Sequence, residues 1–306
     1  MNRRYSILLI VLLLSSVTYG QFIGRDNLSK SLFYMQKEQL DSAKKYIDLA
    51  MVDEQLNKAV KTWYYKGFIY KEIYKKRDKS NKISPYRTTA VNTLQKVLKM
   101  DSTKEFTESS NKMLRYLSST LYNDAARALN PKDYEIAIKN YNNYKKIVSL
   151  IDPKTDLNAQ DVKFKLALAS MLNKPVESGQ ILDSVTIQQI TTLYLEVLSL
   201  DPNNPAANYN LAILYYNEAA EIINNMDYDM DLEKLNEVQD YCIEIFLKGL
   251  PYMLKAYQLN YKREQTLLGL SNIYYGLNDM EKSEHYKKEL EELKSQENKQ
   301  KDLEKE

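Results

Sequence analysis

With 306 residues, 44% of them apolar and 27% charged, the chain has the composition of an ordinary packed protein and room for one large domain or two smaller ones. Seven glycines and seven prolines are too few turn formers for a hairpin-rich β fold. Without residues 1–20 the chain carries 41 basic and 41 acidic side chains, which excludes a general basic surface for nucleic acid, and the single Cys242 excludes an internal disulfide.

The chain opens with a three-part pattern. Arg3 and Arg4 precede the unbroken apolar run Ile7 to Leu14, and Thr18 and Gly20 follow as a small-residue cleavage site. This is the layout of a secretory signal peptide cleaved after about Gly20. The run is too short to span a bilayer of roughly 30 Å. No cysteine follows it, so an N-terminal lipid anchor is not expected. Residues 1–20 are therefore expected to be a signal peptide. Residues 21–290 are expected to form the folded domain, and 291–306 a charged helical tail. The expected location is exported, periplasmic in a Gram-negative bacterium.

Beyond the leader, similar segments recur. "DLAMVD" ends at Asp53, "VLKMD" at Asp101, "VSLID" at Asp152, "VLSLD" at Asp201 and "AYQLN" at Asn260, at intervals close to fifty residues. A near-constant interval marks a repeat architecture. Within each interval, apolar periodicity predicts two helices: 26–37 with 41–52, 56–77 with 84–100, 104–129 with 132–151, 157–173 with 185–200, 205–224 with 231–259, and 263–277 with 280–298. The Asp201–Pro205 stretch (DPNNP) reads as stop, spacer and start. Pro202 follows a helix end, and Pro205 opens the next helix with its φ already set.

The helix faces share a pattern. Trp63, Gly67 and Tyr70, then Asn208, Ala212 and Tyr215, then Leu267, Ser271 and Tyr274 are each spaced four and three apart. Each triplet lies on one stripe with a small residue in the middle, which lets a neighbouring helix approach closely. The second helices carry matching stripes: Ala43, Ile47 and Ala50; Ala90, Leu94 and Val97; Gly249, Met253 and Ala256.

In these residues the chain resembles the tetratricopeptide repeat family. "NYNLAILYY" (208–216) and "WYYKGFIY" (63–70) are similar to its first helix. "KDYEIAIKNY" (132–141) and "NDMEKSEHYKKEL" (278–290) are similar to its second-helix entry. The period departs from the family's 34 residues, with the excess in longer helices and in inserts at 74–86, 174–186 and 224–232. The resemblance implies an all-α fold, an α-solenoid of antiparallel helix pairs in a right-handed superhelix. Stacking is also what the stripes require, since no single pair can bury its own.

The resemblance implies further that first helices line a concave partner face. That face would hold Tyr64 and Phe68, then Tyr209, Ile213 and Tyr216, then Leu268, Asn272 and Tyr275. Tyrosine joins apolar area to a hydroxyl at low entropic cost and is frequent in binding hot spots. The same face could instead be filled by inserts or neighbouring units. The family's clamp for a partner's terminal carboxylate is not matched, because Tyr64 and Phe68 stand where polar residues would.

Motifs for chemistry are missing. There is no glycine-rich phosphate loop, and one histidine, His285, sits on a charged helix. Asp227, Asp229 and Asp231 alternate as in a calcium loop, but Leu232 replaces the required glycine and Val238 the closing glutamate. Charge is uneven: residues 71–87 hold seven basic side chains and two acids, and 218–237 hold seven acids and one lysine. Each segment is either a solvated insert or faces an oppositely charged partner. The expectation is a non-catalytic scaffold without cofactor or metal, binding a peptide or partner protein of the cell envelope, with no transmembrane anchor. The alternative is an outer-membrane-associated protein that binds glycan or nutrient through tyrosine stacking.

Overall fold

Three helix ends in this chain are set by aspartates. Asp101, Asp152 and Asp201 each donate their main-chain N–H to the carbonyl four residues back, at Val97, Val148 and Val197. Each then accepts from the residue three ahead, closing a turn: Lys104 at 3.2 Å, Thr155 at 3.1 Å and Asn204 at 3.0 Å. The Asp101 carboxylate also accepts from the Phe106 N–H and the Thr107 hydroxyl, both at 2.8 Å, which ties the turn to the next helix. In the Asp201–Pro205 turn, Asn204 Oδ1 accepts from Ala207 N–H at 3.0 Å and caps a helix with Pro205 in its first turn. Asn208 Nδ2 then reaches back to the Pro202 carbonyl at 3.1 Å.

The computed structural model describes residues 26–177, 182–227 and 229–303. The expected signal peptide lies outside them. Twelve α-helices and no strand occur among the described residues. They are α1 (Asn27–Gln36), α2 (Leu40–Ala50), α3 (Val60–Ile73), α4 (Pro85–Met100), α5 (Thr107–Arg127), α6 (Tyr134–Ile151), α7 (Asn158–Glu177), α8 (Ser184–Leu200), α9 (Pro205–Asn224), α10 (Leu232–Gln258), α11 (Arg263–Gly276) and α12 (Met280–Leu303). A 3₁₀ turn at Leu56–Lys58 precedes α3, and a π turn at Tyr74–Asp78 extends it. These spans follow the six predicted pairs closely.

The chain divides into two compact units, one ending at Thr155 and the other beginning at Asp156. In the first unit α1 packs with α2, α3 with α4 and α5 with α6. Neighbouring pairs meet through α2 with α3 and α4 with α5, and the first helices also touch, α1 with α3 and α3 with α5. The second unit repeats the scheme with α7–α8, α9–α10 and α11–α12, joined through α8 with α9 and α10 with α11. Within each unit the fold is thus all-α, with antiparallel helix pairs stacked as in an α-solenoid.

Stacking follows from the stripes. On α2, Leu40, Ala43, Ile47 and Ala50 are all buried, and the outward Asp41 and Lys45 are not. Burying each large aliphatic side chain is worth about 1.5–3 kcal/mol, and no isolated pair can collect it. The first-unit core runs through Ile69, Tyr74, Leu94, Leu114, Leu117 and Ile147. The second unit has one cluster around Ile190, Tyr194 and Leu211 and another around Ala212, Phe246, Met253 and Ile273.

Candidate partner-binding faces

The small residues of the stripes sit where helices cross. Gly67 of α3 is buried, and a methyl group added there would lie 2.7 Å from Leu94 Cγ on α4. Trp63, one turn earlier, donates its indole N–H to the Asn57 carbonyl at 2.6 Å and lies under Lys96 Nζ at 3.6 Å. Tyr70, one turn later, donates to the Asp48 carboxylate of α2 at 2.8 Å. Burial raises the Tyr70 phenol to about 12, and the hydrogen bond to Asp48 adds to the shift. In the second unit, Ala212 and Tyr215 of α9 meet Gly249 of α10, where an added methyl would lie 3.0 Å from Tyr215 Cβ. Ser271 of α11 and Ser283 of α12 exchange hydrogen bonds, each hydroxyl donating to the other's carbonyl at 3.0 and 2.9 Å. Tyr274 is buried beside them, stacked on Tyr286.

The expected partner face separates into occupied and open parts. In the first unit, Tyr64 and Phe68 are half-buried. Tyr64 packs on Phe106, just before α5, with centroids 4.8 Å apart, and Lys71 covers the Phe68 ring. In the second unit, Tyr209 is buried at 9% exposure against Tyr261, with Lys262 over its ring. Its ring is therefore not presented to solvent, because the chain entering α11 turns across it. Ile213 and Tyr216 are half-buried, and Tyr216 packs on Phe246. Asn272 of α11 donates to the Tyr216 hydroxyl at 3.3 Å. Flanking Asn272, Leu268 and Tyr275 are exposed, at 50% and 66%. They stand seven residues apart on one face of α11.

The charged inserts behave differently from each other. Most of the basic segment 71–87 is ion-paired within the first unit: Lys71 with Glu72, Lys76 with Glu38, Arg77 with Asp41, Lys82 with Asp133 and Arg87 with Asp124. Arg87 is not solvated at all, at 2% exposure. Nothing in the sequence signals its partner, 37 positions away on another helix. The acidic segment stays largely exposed. Asp231 caps α10 by accepting from Lys234 N–H at 2.9 Å, and Asp227 Oδ1 accepts from Asp229 N–H at 3.0 Å. These carboxylates satisfy a loop instead of converging on a cation, and no group of metal-binding side chains forms among the described residues.

Cys242 is buried, burial raises its thiol, and its Sγ approaches the Ala219 carbonyl at 3.9 Å, so it acts as a small apolar residue. His285 is exposed and edges against Tyr286. No helix among the described residues is long and apolar enough to cross a membrane.

Stacked helix pairs with small residues at their crossings define an α-helical repeat protein. Residues 193–232, covering the end of α8, the Asp201–Pro205 turn and α9, match the family model described as tetratricopeptide repeat. Over these residues the chain is similar to a tetratricopeptide repeat. No curated protein sequence matches it. Among solved structures, a monomeric mutant of IFIT1 with Gppp-AAAA is similar at 10% identity and a TM-score of 0.33, over 86% of this chain and 58% of that one. The chain thus spans less than two thirds of that protein's length.

Proposed function

We propose that the protein is a non-catalytic scaffold that binds a peptide segment or partner protein of the cell envelope through the first helices of its second unit. One observation carries the reading. Leu268 and Tyr275 present apolar surface side by side on α11, while Asn272 between them, engaged by Tyr216, supplies a polar group at the centre. An aromatic and an aliphatic anchor around a fixed polar group is the composition of a small binding hot spot. A hot spot of this kind supports roughly micromolar affinity, about −8 kcal/mol. The capture of glycan by ring stacking is less well supported, since Tyr275 is the one ring of the expected face that stands mostly in solvent.

The test is a photo-crosslinking residue placed at position 275, and at Tyr241 of α10 as an exposed control. A discrete partner crosslinked at 275, absent at 241 and lost with Leu268→Ser, supports the reading. Equal crosslinking at both positions overturns it. Export is proposed from the pattern of residues 1–20 alone. Protein recovered from a periplasmic fraction with Gln21 as its first residue supports it, and recovery only from cytoplasm with residue 1 intact removes the envelope from the proposal.

A further inference from the structure

The first unit holds a second surface, independent of the α11 face. A groove of about 420 Å³ runs between α4 and α6, the second helices of neighbouring pairs, with Val91, Leu121 and Ile147 on its floor. Its volume lies within the range of ligand-binding clefts, about 300–1,000 Å³. One wall is the stripe Thr88, Asn92 and Gln95 of α4. The other is Lys139, Asn143 and Lys146 of α6. Both stripes have the spacing of a single helix face.

The electrostatics of this groove are one-sided. No carboxylate lines it. Lys139 and Lys146 are exposed and make no ion pair among the described residues. Arg87 lies beneath, its charge already matched by Asp124 at 2.5 Å, so Asp124 is not available to the lysines. Residues 26–155 as a whole carry ten more basic than acidic side chains. The amides add a second kind of recognition. Asn92, Gln95 and Asn143 each offer a donor and an acceptor, which matches the alternating N–H and C=O of an extended main chain. Asn140, buried at the end of the groove, donates to the Lys82 carbonyl at 3.0 Å and holds the loop before α4 against α6.

We propose that the α4–α6 groove binds an extended, acidic peptide segment of a partner protein, whose carboxylates meet Lys139 and Lys146 and whose main chain meets the wall amides. A small anion would leave the row of amides unused. An apolar helix would leave the lysines unpaired. An acidic extended segment uses both.

The probe is a fluorescein-labelled peptide of alternating Glu and Ser, titrated by anisotropy against the full chain at low ionic strength. Wild type is expected to bind it and not its Lys-for-Glu counterpart. Lys139→Glu with Lys146→Glu should weaken binding tenfold or more, and Asn143→Ala should weaken it without a change of charge. Lys75→Glu with Lys79→Glu makes the same charge change at exposed positions outside the groove and should have little effect. All four lysines are exposed, so these variants fold, which melting curves verify. Equal loss in both double variants would reduce the effect to long-range charge and overturn the site, as would absence of binding. Salt-sensitive dimers abolished by Lys139→Glu and Lys146→Glu would make the occupant the exposed acidic segment of a second copy and overturn the assignment to a partner protein.

Discussion

Arg87 of α4 and Asp124 of α5 form an ion pair at 2.5 Å with 2% and 0% of their side chains exposed. The guanidinium also donates to the Lys82 carbonyl at 2.7 Å and the Tyr74 hydroxyl at 3.2 Å, and Arg127 pairs with the second Asp124 oxygen. Removing one partner strands a buried charge, which costs about 3–5 kcal/mol, whereas replacing both with apolar residues is often neutral. Arg87→Met is therefore expected to lower stability by about 3 kcal/mol or more in urea unfolding. Arg87→Met with Asp124→Leu should recover most of the loss. A double variant as unstable as the single one would mean that the bonds to Lys82 and Tyr74 matter more than the charge match.

Gly67 and Leu94 test the crossing of α3 and α4. Alanine in a helix interior is ordinarily better than glycine by about 1 kcal/mol. At this position the new methyl would lie 2.7 Å from Leu94 Cγ, and Leu94 is fully buried. Overpacking of that kind costs about 1–3 kcal/mol, so Gly67→Ala should be net destabilising. In a Leu94→Ala background the same substitution should become stabilising. A double-mutant cycle by thermal unfolding measures the coupling, and additive effects would place the two residues out of contact.

These two pairs show what the sequence discloses and what it withholds. Helix spans were legible because local chemistry sets them: Ser84 with Pro85, Asn204 with Pro205 and the Asp101, Asp152 and Asp201 turns act within a few residues of themselves. The small residue of each stripe was legible because spacing on one helix reports a face. The fate of individual tyrosines on that face was not, since Tyr209 is covered by Tyr261, more than fifty positions later. Arg87 counted as part of a charged insert for the same reason, its partner lying on another helix. The α4–α6 groove needs two stripes brought opposite each other, which periodicity on either helix alone does not reveal.

Tyr194 of α8 gives the protein an alkaline limit. It is 2% exposed, and burial pushes its phenol up to about 12. A tyrosine in the unfolded chain ionises near 10. Because the folded value is the higher one, the stabilisation is fully present below pH 10 and is lost as pH rises from 10 through 12. The loss approaches about 2 kcal/mol. Unfolding free energy measured between pH 9 and 12 should fall more steeply in wild type than in Tyr194→Phe. Parallel curves would show that the ring ionises freely in the folded state. Tyr70, also at about 12, contributes a similar fall in the first unit and remains in both proteins.

Two buried hydroxyls on first helices should respond in opposite directions. Thr62 of α3 is fully buried, and its Oγ1 has no hydrogen-bond partner among the described residues. Ser271 of α11 is engaged in the reciprocal pair with Ser283. An unmatched buried hydroxyl costs about 1–3 kcal/mol, and valine keeps the threonine shape without it. Thr62→Val is expected to stabilise the protein by about 1 kcal/mol. Ser271→Ala removes the donor to the Ser283 carbonyl, while the Ser283 hydroxyl keeps its bond to the main-chain carbonyl at 271, so a loss of about 1 kcal/mol is expected. Chemical denaturation of the two variants checks the contrast. A destabilised Thr62→Val would reveal a bound water serving Oγ1, and an unaffected Ser271→Ala would show that close approach at the α11–α12 crossing depends on size alone.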